Sequence, residues 1–264
     1  MPFQLKSIWA LPQLDGINLD IHSDCACRIK QLVIELGIVI FRLFSGYLQK
    51  KGVANVHLLK YPLLVLVILS YYISSYLPLT WGWENGPLEW SQVVILAVGA
   101  LLTGCWWQEA SSSRQFHHAR FFAWAVPLWL LMIGRELSWG RVFFPAGLDP
   151  VNGPYFISVA QLPYGKLVYP VIAIIILAWL YAVIKYRLYA FPCDLYRQGR
   201  FPTGEFILVI FSFVVAYVAE KHLHNAAMEE LVECAAYLSL MLTAYRVRVA
   251  LQARNTIILP SRFL

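Results

Sequence analysis

Long apolar stretches constrain the fold of this chain more than any other feature. Each approaches the roughly 20 residues that a helix, rising about 1.5 Å per residue, needs to cross ~30 Å of bilayer hydrocarbon. Lipid offers backbone groups no hydrogen-bond partners, so only helices or closed barrels span it, and unbroken apolar runs argue against a barrel. Six such stretches occur, at about 61–80, 90–108, 119–137, 168–185, 204–220 and 229–247.

The composition agrees with a membrane environment. Only 14% of the 264 residues are charged and 59% are hydrophobic, whereas a soluble domain carries about 25% charged residues. We therefore predict an all-α fold, a polytopic integral membrane bundle with six transmembrane helices. The net charge of +6 is assigned to membrane topology, and no nucleic-acid partner is expected.

The positions of Lys and Arg predict the orientation. When alternate loops are grouped, one side receives 17 of these residues and the other side receives 4. Cytoplasmic loops carry the excess of positive charge. Both termini are therefore predicted to be cytoplasmic, in a bacterial inner membrane.

The N-terminal region leaves two alternatives open. Residues 1–60 are predicted to form a cytoplasmic segment before a transmembrane domain at 61–250 and a cytoplasmic tail at 251–264. Within the segment, the run 31–49 is apolar, but its polar residues fall near one helical face and basic residues flank it. We favour an amphipathic helix on the inner membrane surface. The alternative is a seventh spanning helix.

Ionisable residues at the ends of three predicted spans form the candidate site. The predicted topology places all three ends in the outer leaflet, where charges are costly and tend to pair or to mark function. We expect Glu233 to face the bundle and to pair with Arg135 or with a bound cation. The candidate binding residues are Arg135, Glu136, Arg141, Glu220, His222, His224, Glu229, Glu230 and Glu233.

Two interpretations of this set remain open at the sequence level. The residues form either a structural ion-pair network or a functional site that binds a cation, a lipid or a partner membrane protein. His222 and His224 would lie about 200° apart on a helix and could not face one ion. We therefore predict no metal site and no cofactor. The long loop at about 138–167 is predicted to be a lid or a packed cap.

The sequence does not identify a reaction, since it lacks the G-x-S-x-G, Walker A and H-E-x-x-H patterns. The first functional hypothesis is a carrier or membrane-assembly role. The alternatives are an intramembrane enzyme acting on a lipid or isoprenoid and a membrane sensor module. A carrier needs a polar path across the bundle, and a lipid enzyme needs an apolar groove beside the charged residues.

Overall fold

The computed structural model describes residues 58–149 and 153–258, with side chains as far as residue 253. The predicted helix at 31–49 and the end of the predicted tail lie outside these residues. The described chain is mostly helical, as predicted. Its α-helices are α1 (Lys60–Tyr76), α2 (Pro87–Ser112), α3 (Phe116–Glu136), α4 (Gly165–Lys185), α5 (Ala190–Arg197), α6 (Thr203–Val218) and α7 (Ala226–Ile258).

Four of these helices are long and apolar enough to cross a membrane, which is typical of an integral membrane protein. They are α2, α4, α6 with its extension to Leu223, and α7 as far as Ala253. Helix α1 has 17 residues and covers about 26 Å, slightly less than the ~30 Å core. Helix α3 has polar ends, with two histidines in its first turn and Arg135-Glu136 in its last.

Two predicted spans have different ends in the structure. Helix α1 stops at Tyr76 because Leu77 precedes Pro78, and the residue before proline disfavours the helical region; Leu77 is extended, with ψ 143°. Helix α7 runs to Ile258, beyond the predicted end at 247. Arg and Gln are good helix formers. The polar residues after 247 therefore end the apolar stretch but not the helix.

A tight turn joins α6 to α7. Helix α6 ends in one wider, π-type turn at Ala219–Leu223, and His224 takes a left-handed conformation with φ 49°. Asn225 then caps the N-terminus of α7, since its Oδ1 accepts a hydrogen bond of 3.0 Å from the backbone N–H of Met228. Its Nδ2 donates to Ser74 Oγ at 3.0 Å, which ties α1 to the same turn.

Helix α7 lies at the centre of the bundle, and 61% of its spanning segment is buried. Ala235 and Ala236 are fully buried in it, as expected for small residues that let helices approach closely. On the neighbouring helices, a Cβ at Gly99 of α2 would come within 2.6 Å of the Trp129 ring of α3. The absence of a side chain there lets α2 and α3 pack together.

Helix α4 stands at the edge of the bundle. Only 6% of its spanning segment is buried, although it is the most apolar of the four candidate spans. Trp179 of α4 donates its Nε1–H to the backbone carbonyl of Trp124 in α3 at 3.0 Å. This bond ties α4 to α3 near the middle of both helices.

Two loops meet at the end of the bundle where α3 and α4 are joined. The α3–α4 loop contains an antiparallel hairpin of β1 (Pro145–Asp149) and β2 (Gly153–Phe156), which the sequence did not predict. A Cβ at Gly153 would come within 2.5 Å of the Trp83 ring in the α1–α2 loop, and one at Gly82 within 2.5 Å of the backbone nitrogen of Ala227. The α3–α4 loop is therefore packed onto the bundle, in agreement with the predicted cap.

Candidate functional site

Four side chains from α3 and α7 form a connected polar group, here called the Arg135 network: Arg135, Glu136, Glu233 and Tyr237. Arg135 donates from Nη2 to Glu233 Oε1 at 2.9 Å and from Nη1 to the Tyr237 hydroxyl at 3.0 Å. The Tyr237 hydroxyl donates to Glu136 Oε1 at 2.6 Å. The predicted pairing of Arg135 with Glu233 is therefore present.

The Arg135 network is buried on one side and open on the other. The side chains of Glu136 and Glu233 are 6% and 9% exposed, whereas that of Arg135 is 55% exposed. An unpaired buried carboxylate is costly, so one half-exposed guanidinium stabilises two buried anions. The exposed part of the guanidinium is the accessible face of the network.

A second group of polar side chains lies beside the network, on α2. Gln92 is fully buried and donates from Nε2 to Glu230 Oε2 at 2.6 Å and to the Glu230 carbonyl at 3.0 Å. Glu89 accepts a hydrogen bond from the backbone N–H of Asn85. Sequence analysis missed Glu89 and Gln92, but polar residues three apart in the first turns of an apolar span would have revealed them.

The remaining predicted residues do not join the network. Arg141 pairs with Glu84 in the α1–α2 loop. Glu220 pairs with Lys221 at 2.5 Å, while the His222 ring contacts the Tyr217 ring and His224 is exposed. The wide turn at the end of α6 directs these side chains to the surface. The expectation that all the predicted residues converge is thus corrected for Glu220, His222 and His224.

Glu229 occupies the rim of the site. It is half-buried and lies one turn before Glu233 on the same face of α7. Within the described residues, no group of three or more His, Cys, Asp or Glu side chains is arranged to hold a metal ion. Arg135, Tyr237 and Gln92 instead lie between the carboxylates and donate hydrogen bonds to them.

A cavity of about 740 Å³ lies between α3 and α4, with an almost entirely apolar lining. It exists because α4 touches α3 at few points. At one end of it, the Trp139 ring packs over Gly134 and the Tyr164 hydroxyl packs against Gly140. We call it the interhelical cavity. Its lining consists of Trp124, Pro127, Leu130, Leu131, Gly134, Leu137, Trp139, Gly140, Tyr164, Leu167, Val168, Val171, Ile172, Ile175 and Ala178.

Arg135 lies next to the cavity-lining face of α3, although it is not itself one of the lining residues. Successive helical residues are about 100° apart, so Arg135 is only about 40° around α3 from Leu131, which lines the cavity one turn below. Its neighbours Gly134 and Leu137 also line the cavity. Glu136 points to the opposite side of α3, toward α7. Around α3, Arg135 therefore lies between the cavity-lining face and Glu136.

Three hydroxyl groups inside the bundle are bonded within their own helices, whereas the buried Ser212 Oγ of α6 has no hydrogen-bond partner among the described residues. Thr103 donates to the Gly99 carbonyl, Ser239 to that of Ala235 and Thr243 to that of Ser239, each at 2.8 Å. These bonds satisfy the hydroxyls locally. They offer little to a polar solute passing through the bundle, which weakens the carrier hypothesis.

Comparison with known proteins adds no assignment to this geometry. No protein-family model, curated protein or solved structure matches the chain.

Proposed function

We propose that this protein binds a membrane lipid, with the apolar chain in the interhelical cavity and the polar head group beside Arg135. The main support for this proposal is the position of Arg135. On α3 it lies between the face that lines a large apolar cavity and Glu136 of the buried polar network. A lipid, with an apolar chain and a polar head group, would use both features.

The cavity has the size and lining of a ligand site. Sites for small molecules and cofactors occupy about 300–1,000 Å³ and are mostly apolar, with a few polar groups that fix orientation. The interhelical cavity, at about 740 Å³, falls within this range. Its lining is almost entirely apolar, as the chain of a lipid requires.

The exposure of α4 supports a ligand from the bilayer. Helix α4 has a mean hydropathy of 2.6 and is 6% buried over its spanning segment, so it faces lipid on most of its surface. The gap between α4 and α3 then opens sideways into the hydrocarbon. Lipid chains are the apolar molecules present there at high concentration.

Arg135 supports a head group that carries acceptor oxygens. A guanidinium has five N–H donors in a planar fork, and the bonds to Glu233 and Tyr237 use one donor on each Nη atom. Arg is suited to phosphate and carboxylate oxygens because its fork matches their geometry. A phosphate or ester oxygen of a lipid is the corresponding partner.

The proposal includes the topology derived from the sequence. Helices α1 and α3 would complete a set of six spans with α2, α4, α6 and α7. The basic residues would then place both termini in the cytoplasm and the Arg135 network near the outer surface of an inner membrane. The ligand would be a lipid of the outer leaflet.

An intramembrane enzyme acting on a lipid or isoprenoid is the second candidate. It is favoured by the bond between Glu136 and the Tyr237 hydroxyl, since a carboxyl and a phenol in contact are suited to general acid–base chemistry.

To test for enzyme activity, the protein in nanodiscs would be incubated with a polar lipid extract. A new lipid species that forms with wild type and not with Glu136→Gln would support the enzyme. If neither protein forms a new species, lipid binding without a reaction is supported instead.

Native mass spectrometry of protein extracted in polymer nanodiscs tests lipid binding. Wild type should retain one lipid per chain through delipidating washes. Ile172→Trp fills the cavity and should reduce retention at least tenfold. Ile174→Trp is the matched control, because Ile174 is on the same helix, is 65% exposed and does not line the cavity. Equal loss of lipid in both variants, or no retained lipid in wild type, would contradict the proposal.

A further inference from the structure

A second apolar cavity continues the first along the same pair of helices. It has a volume of about 250 Å³ and lies between α3 and the region from Trp179 to Pro192. Trp124 lines both cavities. The two spaces are therefore parts of one interhelical cleft that is interrupted where Trp124 meets Trp179.

A fixed indole lies at this interruption. Trp179 follows Ala178, the last residue of α4 that lines the larger cavity, and itself lines only the smaller one. Trp179 donates its Nε1–H to the backbone carbonyl of Trp124 at 3.0 Å, and a buried indole N–H that is bonded holds its ring in one orientation. An apolar side chain of similar size would fill the space but would lack this anchor. The hydrogen bond makes the end of the larger cavity rigid.

Measured from Glu136, the interruption lies about one leaflet deep in the bilayer. Trp124 lies 12 residues before Glu136 on α3, which is about 18 Å along the helix axis. The hydrocarbon core is ~30 Å thick, so the interruption lies just past its middle. A chain that enters beside Arg135 reaches the indole near the point where its leaflet ends.

From this geometry, we propose that Trp179, held by the carbonyl of Trp124, sets the maximum length of the lipid chain that the interhelical cavity accepts. The inference rests on the proposed function and adds a specificity-determining residue to it. A chain longer than the cavity meets the indole and must bend back or leave. Without the indole, the smaller cavity becomes available to the end of the chain.

The test uses a series of diazirine-bearing fatty acids that differ only in chain length, whose carboxylate matches Arg135. Photo-crosslinking to wild type in nanodiscs should fall sharply beyond one chain length, with labelled peptides from α3 and α4. Trp179→Ala should shift this limit toward longer chains by several carbons. Trp179→Phe, which keeps a ring but removes the N–H donor, should retain the limit but make it less sharp.

Two further variants complete the design. Ala178→Phe places a ring at the end of the larger cavity and should shift the limit toward shorter chains, so the inference stays testable if Trp179→Ala does not fold. Trp107→Ala is the matched control, because Trp107 on α2 is 48% exposed and lines neither cavity. Its limit should equal that of wild type.

The outcomes separate the two proposals. If α3 and α4 of wild type are not labelled at any chain length, lipid binding in the cavity fails and the inference fails with it. If wild type is labelled and folded Trp179→Ala and Ala178→Phe keep the wild-type limit, only the role of Trp179 is overturned.

Discussion

At the scale of the residue, Tyr237 shows how one side chain organises a buried polar group. Its hydroxyl accepts from Arg135 and donates to Glu136, so each part of the network is bonded. The sequence predicted the pairing of Arg135 with Glu233 because opposite charges inside a membrane must find each other. It did not predict Tyr237, because a tyrosine in an apolar helix equally suggests interface anchoring or simple packing.

The two arginines of the predicted site should contribute very differently to stability. Arg135→Ala leaves the buried carboxylates of Glu136 and Glu233 without their cation, and should cost about 2 kcal/mol after allowance for the solvent exposure of Arg135. Arg141→Ala is the matched control. Its partner Glu84 is 34% exposed, and such pairs contribute less than about 1 kcal/mol.

Unfolding of both arginine variants would be followed by denaturant titration in one detergent, with tryptophan fluorescence as the signal. Equal destabilisation by the two substitutions would show that the burial of Glu136 and Glu233 does not set the cost.

At the scale of the element, the sequence predicted where helices exist better than where they end. Each predicted apolar stretch corresponds to a helix, and four of these helices are long and apolar enough to cross a membrane. The ends of α1 and α7 depended on Pro78 and on the helix-forming tendency of residues after 247, which are local effects. The hairpin β1–β2 was not predicted, since its contact with Trp83 joins segments far apart in sequence.

The packing of α2 against α3 should depend on one glycine. A Cβ at Gly99 would come within 2.6 Å of the buried Trp129 ring, whereas one at Gly104 would meet nothing within 4 Å. Gly99→Ala should therefore destabilise the protein by about 1–3 kcal/mol, as overpacking does. Gly104→Ala should be neutral or stabilising by up to about 1 kcal/mol, since alanine favours the helix.

Thermal unfolding in detergent would measure both glycine variants against wild type. A stable Gly99→Ala protein would show that Trp129 can move aside, and that the two helices do not need this close contact.

At the scale of the whole molecule, the sequence predicted a mostly helical fold with membrane-spanning helices, but it did not predict the interhelical cavity. Apolar periodicity identifies which segments are helices, not how far apart they lie. The interhelical cavity arises from the separation of α4 from α3, and this separation depends on tertiary packing that no short pattern encodes. Residues such as Ile172 and Trp179 therefore looked like ordinary lipid-facing side chains.

The proposed six-span topology would place exposed residues on opposite sides of the membrane. Ser112, at the end of α2, and Ser158, in the α3–α4 loop, are both exposed. In a background from which the five native cysteines are removed, Ser158→Cys should react with an impermeant maleimide added to intact cells. Ser112→Cys should react only after the membrane is opened. The reverse pattern would show the opposite orientation. Labelling of both residues from outside would refute the six-span topology.

The unequal attachment of α4 has a mechanical consequence. At one end, Tyr164 donates to the carbonyl of Trp139 at 3.4 Å, and a Cβ at Gly165 would overlap the carbonyl oxygen of Val159. Between there and Lys185, the bond from Trp179 is the described hydrogen bond to α3. Just beyond Lys185, the Arg120 guanidinium of α3 lies over the Tyr186 ring, 5.0 Å from its centroid. Because α4 is held near both ends, we expect its greatest displacement between Gly165 and Trp179, in the segment that lines the interhelical cavity. Outward bending of that segment would widen the cavity while both ends stay in place.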